Sequence, residues 1–133
     1  MNMKVKKELI LYYHPLEEAG ARRAFAVFER LGIPAVLVNR QDITQQIGCL
    51  AGLPGFGKKP VPDELPEIRE EVMVLSDIGG ARLDDLLAAL KEAQIPRIEL
   101  KAVVTDTNKK WKFYQLYEEL RKENFLMRTR RPQ

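Results

Sequence analysis

The sequence predicts an α/β fold: a single domain of repeated βαβα halves around a four-stranded, mostly parallel sheet flanked by helices. Three observations predict it. Four apolar runs of strand length, at 9–13, 35–38, 72–75 and 98–105, alternate with stretches whose apolar residues recur at helical spacing. An offset of 62 residues lays Ala21, Ala24, Phe25 and Phe28 on Leu83, Leu86, Leu87 and Leu90, and Ile33-Pro34 on Ile95-Pro96. The composition, 45% hydrophobic and 31% charged over 133 residues, is globular, and a chain of this length buries roughly two thirds of its unfolded surface.

The first strand, 9–13, is apolar throughout between Glu8 and Pro15, the pattern of a strand covered on both faces. A helix follows over about 16–31, with Glu17 and Glu18 near its positive end and Gly32 stopping it. The second strand is 35–38. A short helix over 42–51 sets Ile43, Ile47 and Leu50 on one face. The segment 53–69 holds Pro54, Gly55, Gly57, Pro60, Pro62 and Pro66, too many breakers for a regular element. It reads as a linker between halves at about 4–52 and 70–125, either functional or a bare connector.

The second half repeats the order. After the third strand, Gly79-Gly80 open a helix with Leu83, Leu86, Leu87 and Leu90 on one stripe and Asp84 and Asp85 in its early turns, and Ile95-Pro96 close it. The fourth strand precedes a last helix over about 109–124, whose Phe113, Leu116, Tyr117 and Leu120 face inward, and a basic tail at 126–133 ends the chain. Because each strand pair is joined through a helix, the expected sheet is entirely parallel in order 2-1-3-4, with a switch point between strands one and three. Helix one would then share a face with helix four, and helix two with helix three.

Composition bears on function mostly by exclusion. One His and one Cys build no structural zinc or iron-sulfur site, and a lone Cys49 forms no intrachain disulfide, which suits a cytoplasmic protein. The lysines at the N-terminus precede an apolar run too short for a signal peptide, and no run approaches the roughly 18 apolar residues of a spanning helix. Arg128, Arg130 and Arg131 account for the whole net charge of +3, so the body is near neutral and nucleic acid is not the expected partner. That alternative would need the tail arginines on one face with Lys4, Lys6 and Lys7.

Two glycine motifs suggest anions. GFGKKP at 55–60 shares a Gly-Lys pair with phosphate-binding loops, but no Ser or Thr follows and Pro60 blocks the helix such loops open. LSDIGGARLDD at 75–85 places two glycines between a strand and a helix, as an anion site or as a plain tight turn. His14, Ser76 and Asp77 lie just beyond strands one and three, where a parallel sheet would bring them together as the polar actors of a small-molecule enzyme; the nucleophile elbow G-x-S-x-G is absent. No catalytic residue, metal ligand or cofactor is assigned.

The stretch LKAVVTDTNKKW carries the main candidates. Lys101 interrupts an apolar strand, which marks an edge or a ligand contact. Thr107 or Asn108 can cap the last helix. Trp111 lies off the inward stripe and would stack on Tyr114 at i, i+3, over the sheet's end or as a surface for a protein partner or a second copy. Lys101, Thr105, Thr107, Asn108 and Trp111 are therefore the expected binding residues, with His14 and Asp77 beside them.

Leu100, Lys101, Ala102, Val103, Thr105, Asn108 and Trp111 match the C-terminal pattern L-K-A-V-x-T-x-x-N-x-x-W, and Gln46, Ile47, Gly48, Leu50 and Gly52 add to it. On these residues the chain resembles the bacterial family of domain of unknown function 3783. That resemblance implies no activity, cofactor or partner. The expected function is a small non-catalytic binding or regulatory module acting through the C-terminal rim of the sheet.

Overall fold

The central strand shows why the sheet has two covered faces: in β1 (Leu9–Tyr13), Ile10 and Tyr12 point to one side and Leu11 and Tyr13 to the other, and none is more than 2% exposed. In this computed structural model, which describes residues 7–130, the elements that follow are α1 (Glu17–Arg30), β2 (Ala35–Leu37), a 3-10 turn (Arg40–Asp42) and α2 (Ile47–Leu50). Next come β3 (Val72–Ser76), α3 (Gly80–Glu92), β4 (Leu100–Val103), a second 3-10 turn (Asn108–Lys110) and α4 (Phe113–Arg130). The sheet order is β2-β1-β3-β4, as expected.

The strand directions differ from expectation at one place. β1 and β2 are parallel, and so are β3 and β4, but β1 and β3 are antiparallel, with Leu9 opposite Ser76 and Tyr13 opposite Val72. The sheet is mixed, not entirely parallel. Within each half a crossover helix forces the next strand to run the same way, whereas the segment between the halves, with no regular element from Ala51 to Glu71, can return in either direction.

That reversal relocates the helices. A right-handed crossover on strands of opposite direction, built outward on opposite sides, places α1 and α3 on the same face. Ala24, Val27, Phe28, Leu86 and Leu90 accordingly share one core with Ile10, Tyr12, Met73 and Leu75. Ile43, Ile47, Phe113, Leu116 and Tyr117 share the other with Leu11, Tyr13, Val72 and Val74. The expected pairing of helix one with helix four is thus corrected. α1 and α3 also tie off each other's ends: Arg23 Nη2 donates to the Ala93 carbonyl at 2.5 Å and Arg82 Nη2 to the Leu31 carbonyl at 2.6 Å, a cation at each negative helix terminus.

Several boundaries shift. Gly32, at φ 71°, ends α1 as expected, with Ile33 N–H bonded to the Phe28 carbonyl at 2.9 Å. α4 begins at Phe113, not near 109, and continues to Arg130, so residues 126–130 of the expected tail are helical. Arg131, Lys4 and Lys6 lie outside the described residues. No described helix is long and apolar enough to cross a membrane.

Candidate functional site

The antiparallel centre gives the two halves an internal two-fold relation. Leu11 pairs with Val74, while Leu11 also pairs with Val36 and Val74 with Ala102, so Val36 and Ala102 are equivalent positions. Carrying that equivalence forward lays Asn39-x-x-Asp42 on Thr105-x-x-Asn108, and Gln45-Gln46-Ile47 on Trp111-Lys112-Phe113. The hydrogen bonds bear this out. Asn39 N–H donates to Asp42 Oδ2 at 2.9 Å, and Thr105 N–H donates to Asn108 Oδ1 at 2.8 Å. Each turn redirects the chain toward the axis, where Gln46 and Lys112 form an antiparallel bridge. Ile47 N–H reaches the Trp111 carbonyl at 2.9 Å, and Phe113 and Tyr114 N–H reach the Gln45 and Ile43 carbonyls, each at 3.0 Å.

The same relation separates residues expected to converge. His14 and Asp77 follow the ends of β1 and β3, so the antiparallel pair holds them at opposite ends of the sheet, about 20 Å apart along the strands. The His14, Ser76 and Asp77 grouping is corrected accordingly. His14 Nδ1 accepts the Leu16 N–H at 3.0 Å, and its ring lies where a side chain at Gly20 would be, which makes it part of the entry to α1. Asp77 is exposed at φ 54° in the turn before α3. A parallel sheet's single C-terminal rim is likewise divided between two ends.

Lys101 is opposite Met73 on the α1 and α3 face, whereas Trp111 packs against the core of the other face. They do not form one site. Asn108 is 7% exposed and fully engaged: besides the Thr105 N–H it takes up, its own N–H donates to Thr105 Oγ1 at 3.0 Å and its Nδ2 to the Val103 carbonyl at 2.8 Å. It closes the turn and does not cap α4. Thr107 is exposed and makes no side-chain cap bond. Trp111 is extended, at φ −81° and ψ 152°, before α4 begins, so helical i, i+3 stacking on Tyr114 does not apply; Lys112 Nζ lies 6.0 Å from the Tyr114 ring centre. Half-buried Trp111 instead borders a 280 Å³ groove with Gln115, Glu118 and Glu119.

The larger opening is a 480 Å³ cleft between α3 and the edge strand β4, floored by Leu87, Leu90, Ile95 and Ile98 and bordered by Lys91, Arg97 and Lys101. Lys101 Nζ donates to the Ile98 carbonyl at 2.6 Å. Burial lowers its pKa from the ordinary lysine value, and Arg97 lowers it further, against a smaller opposing pull from Glu99.

Residues 71–127 match the family model of the domain of unknown function DUF3783. The match lies within the second half of the chain. No curated protein and no solved structure matches the chain. The DUF3783 match covers β3, α3, β4 and most of α4, and so includes Lys101, Thr105, Asn108, Trp111 and the whole β4 cleft.

Half of the axis lies outside the matched segment, and Gln45, next to the Gln46–Lys112 bridge, was not among the sequence candidates. Gln45 is 1% exposed and grips the main chain of Lys59 in both directions, Nε2 to the carbonyl and Oε1 from the N–H, each at 2.8 Å. With Phe56 packed on Gly48 and the Tyr13 hydroxyl bonded to the Ile68 carbonyl at 2.9 Å, the 53–69 segment is pinned onto the fold. The signal was present as the Asn39/Thr105 correspondence. The helix alignment at 62 residues hides it, because the second half has four extra residues between Ile95 and Ala102.

Proposed function

We propose that this chain is a small non-catalytic binding module whose ligand is a small anion with an apolar body, held in the cleft between α3 and β4. The observation that carries the reading is the cation pair at that cleft: a half-buried Lys101 ammonium beside Arg97, above an apolar floor. A carboxylate between the two would relieve their repulsion while its hydrocarbon covers Leu87 and Leu90, and Leu87 is 37% exposed. Against catalysis, the polar side chains that could act chemically are dispersed or engaged in holding turns.

Octanoate titrated into the protein, followed by backbone amide shifts, tests the reading. Saturable shifts at Leu87, Ile98 and Lys101 that are lost in Lys101→Met support it; octanol binding as tightly as octanoate, or no shifts at all, overturns it. A second reading, a protein partner or second copy at Trp111, draws on its partial exposure beside Glu118 and Glu119.

A further inference from the structure

We propose that Thr44, Lys59 and Lys112 form a binding site for a phosphate monoester on the opposite face of the sheet from the β4 cleft. They line an open pocket of 390 Å³ together with Pro60, Val61 and Pro62. Thr44 is 6% exposed, and its Oγ1 is the one buried side-chain polar atom among the described residues with no hydrogen-bond partner. A buried hydroxyl without a partner is destabilising, and because Thr44 lines the pocket, a ligand oxygen reached by a turn of its side chain would supply one.

The two lysines are positioned by main-chain bonds. Gln45, the neighbour of Thr44, clamps the Lys59 backbone, and the Gln46 bridge places Lys112 from the other half. Among the described residues neither ammonium is in an ion pair. Two cations and a hydroxyl suit the charge and terminal oxygens of a phosphate monoester, and the proline-valine wall suits its organic group. From the GFGKKP segment the pocket takes Lys59, not the Lys58 of the Gly-Lys pair, and Thr44 adds a hydroxyl from across the fold. Pro60 still prevents a helix there, so the site binds and does not assemble a nucleotide-hydrolysing loop.

Phenyl phosphate titrated into the full chain, mapped by amide shifts and quantified by calorimetry, tests this. Saturable shifts at the Thr44 and Lys112 amides are expected, weakened about tenfold by Lys59→Gln and by Lys112→Gln but unchanged by Lys58→Gln. Thr44→Val should remove most of the binding while raising the thermal midpoint of the free protein by about 3 °C, because an unpartnered hydroxyl is replaced by a methyl group. The proposal fails if no saturable shifts occur at the Thr44 and Lys112 amides, if Lys58→Gln weakens them as much as Lys59→Gln, if benzoate shifts those amides at the same concentration as phenyl phosphate, or if Thr44→Val lowers the midpoint of the free protein.

Discussion

The two halves follow the same element order, yet they differ where α1 and α3 hand over to the edge strands. In the first half Ile33 leads directly into β2, and the equivalent of Lys101 is Ala35. The second half inserts residues between Ile95 and β4, and the insertion builds the 480 Å³ cleft and its cations. Beside β2 the corresponding surface is a shallower 300 Å³ groove where Arg22 is accompanied by Glu18 and Glu29. A repeated frame keeps its core and crossovers, and a short insertion at one end gives one copy a chemistry that the other lacks.

The axis offers the sharpest test of that view, because Gln45 and Trp111 are equivalent positions with different duties. Gln45→Ala should destabilise by about 3 kcal/mol in urea unfolding, since it leaves the Lys59 N–H and carbonyl without partners and unpins the loop. Trp111→Ala should cost about half as much, since its side chain is only partly buried. Equal losses would mean the two positions carry the same structural load.

The helices provide a second comparison. Gly20→Ala should destabilise by about 2 kcal/mol because a Cβ there runs into the His14 ring, while the same change in a His14→Ala background should be neutral or stabilising. A double-mutant cycle by denaturant unfolding reads the coupling, and additive effects would break the argument.

The two halves should respond oppositely to alkaline pH, through Tyr12 in the first and Lys101 in the second. Burial, and then the bond to Glu71, raise the Tyr12 pKa above its usual 10.0, so the folded phenol keeps its proton where the unfolded one loses it. Its contribution to stability is complete below about pH 10 and is lost as pH rises beyond that. Lys101 has the reverse sign: its folded pKa lies below 10.5, the unfolded chain binds more protons just below that pH, and stability rises with pH through that window. Melting curves of Tyr12→Phe and Lys101→Met across pH 8–11 separate the two slopes, each variant losing its own.

The smallest effect is expected at the end of α4. Phe125 and Met127 are 66% and 61% exposed, so the last turns bury little. Deleting residues 128–133 should move the thermal midpoint by less than about 5 °C. A larger fall would show that the helix end is docked.

What the residues alone determined was local. The apolar run at Leu9–Tyr13, the Leu86-Leu90 stripe and the Gly32 stop act within one strand or one helix, where side-chain periodicity and backbone sterics suffice, and the strand order followed from short crossovers. Within the candidate sites, Lys101 was legible as a charge in an apolar strand, whereas Asn108, expected as a cap of the last helix or a binding residue, closes the turn before it. Only the tertiary structure decided the direction of the second half, because the breaker-rich residues 53–69 permit either return. That one choice parted His14 from Asp77 and brought Thr44 to Lys112 across the axis. Such contacts depend on packing between distant segments, and no periodicity along the chain encodes them.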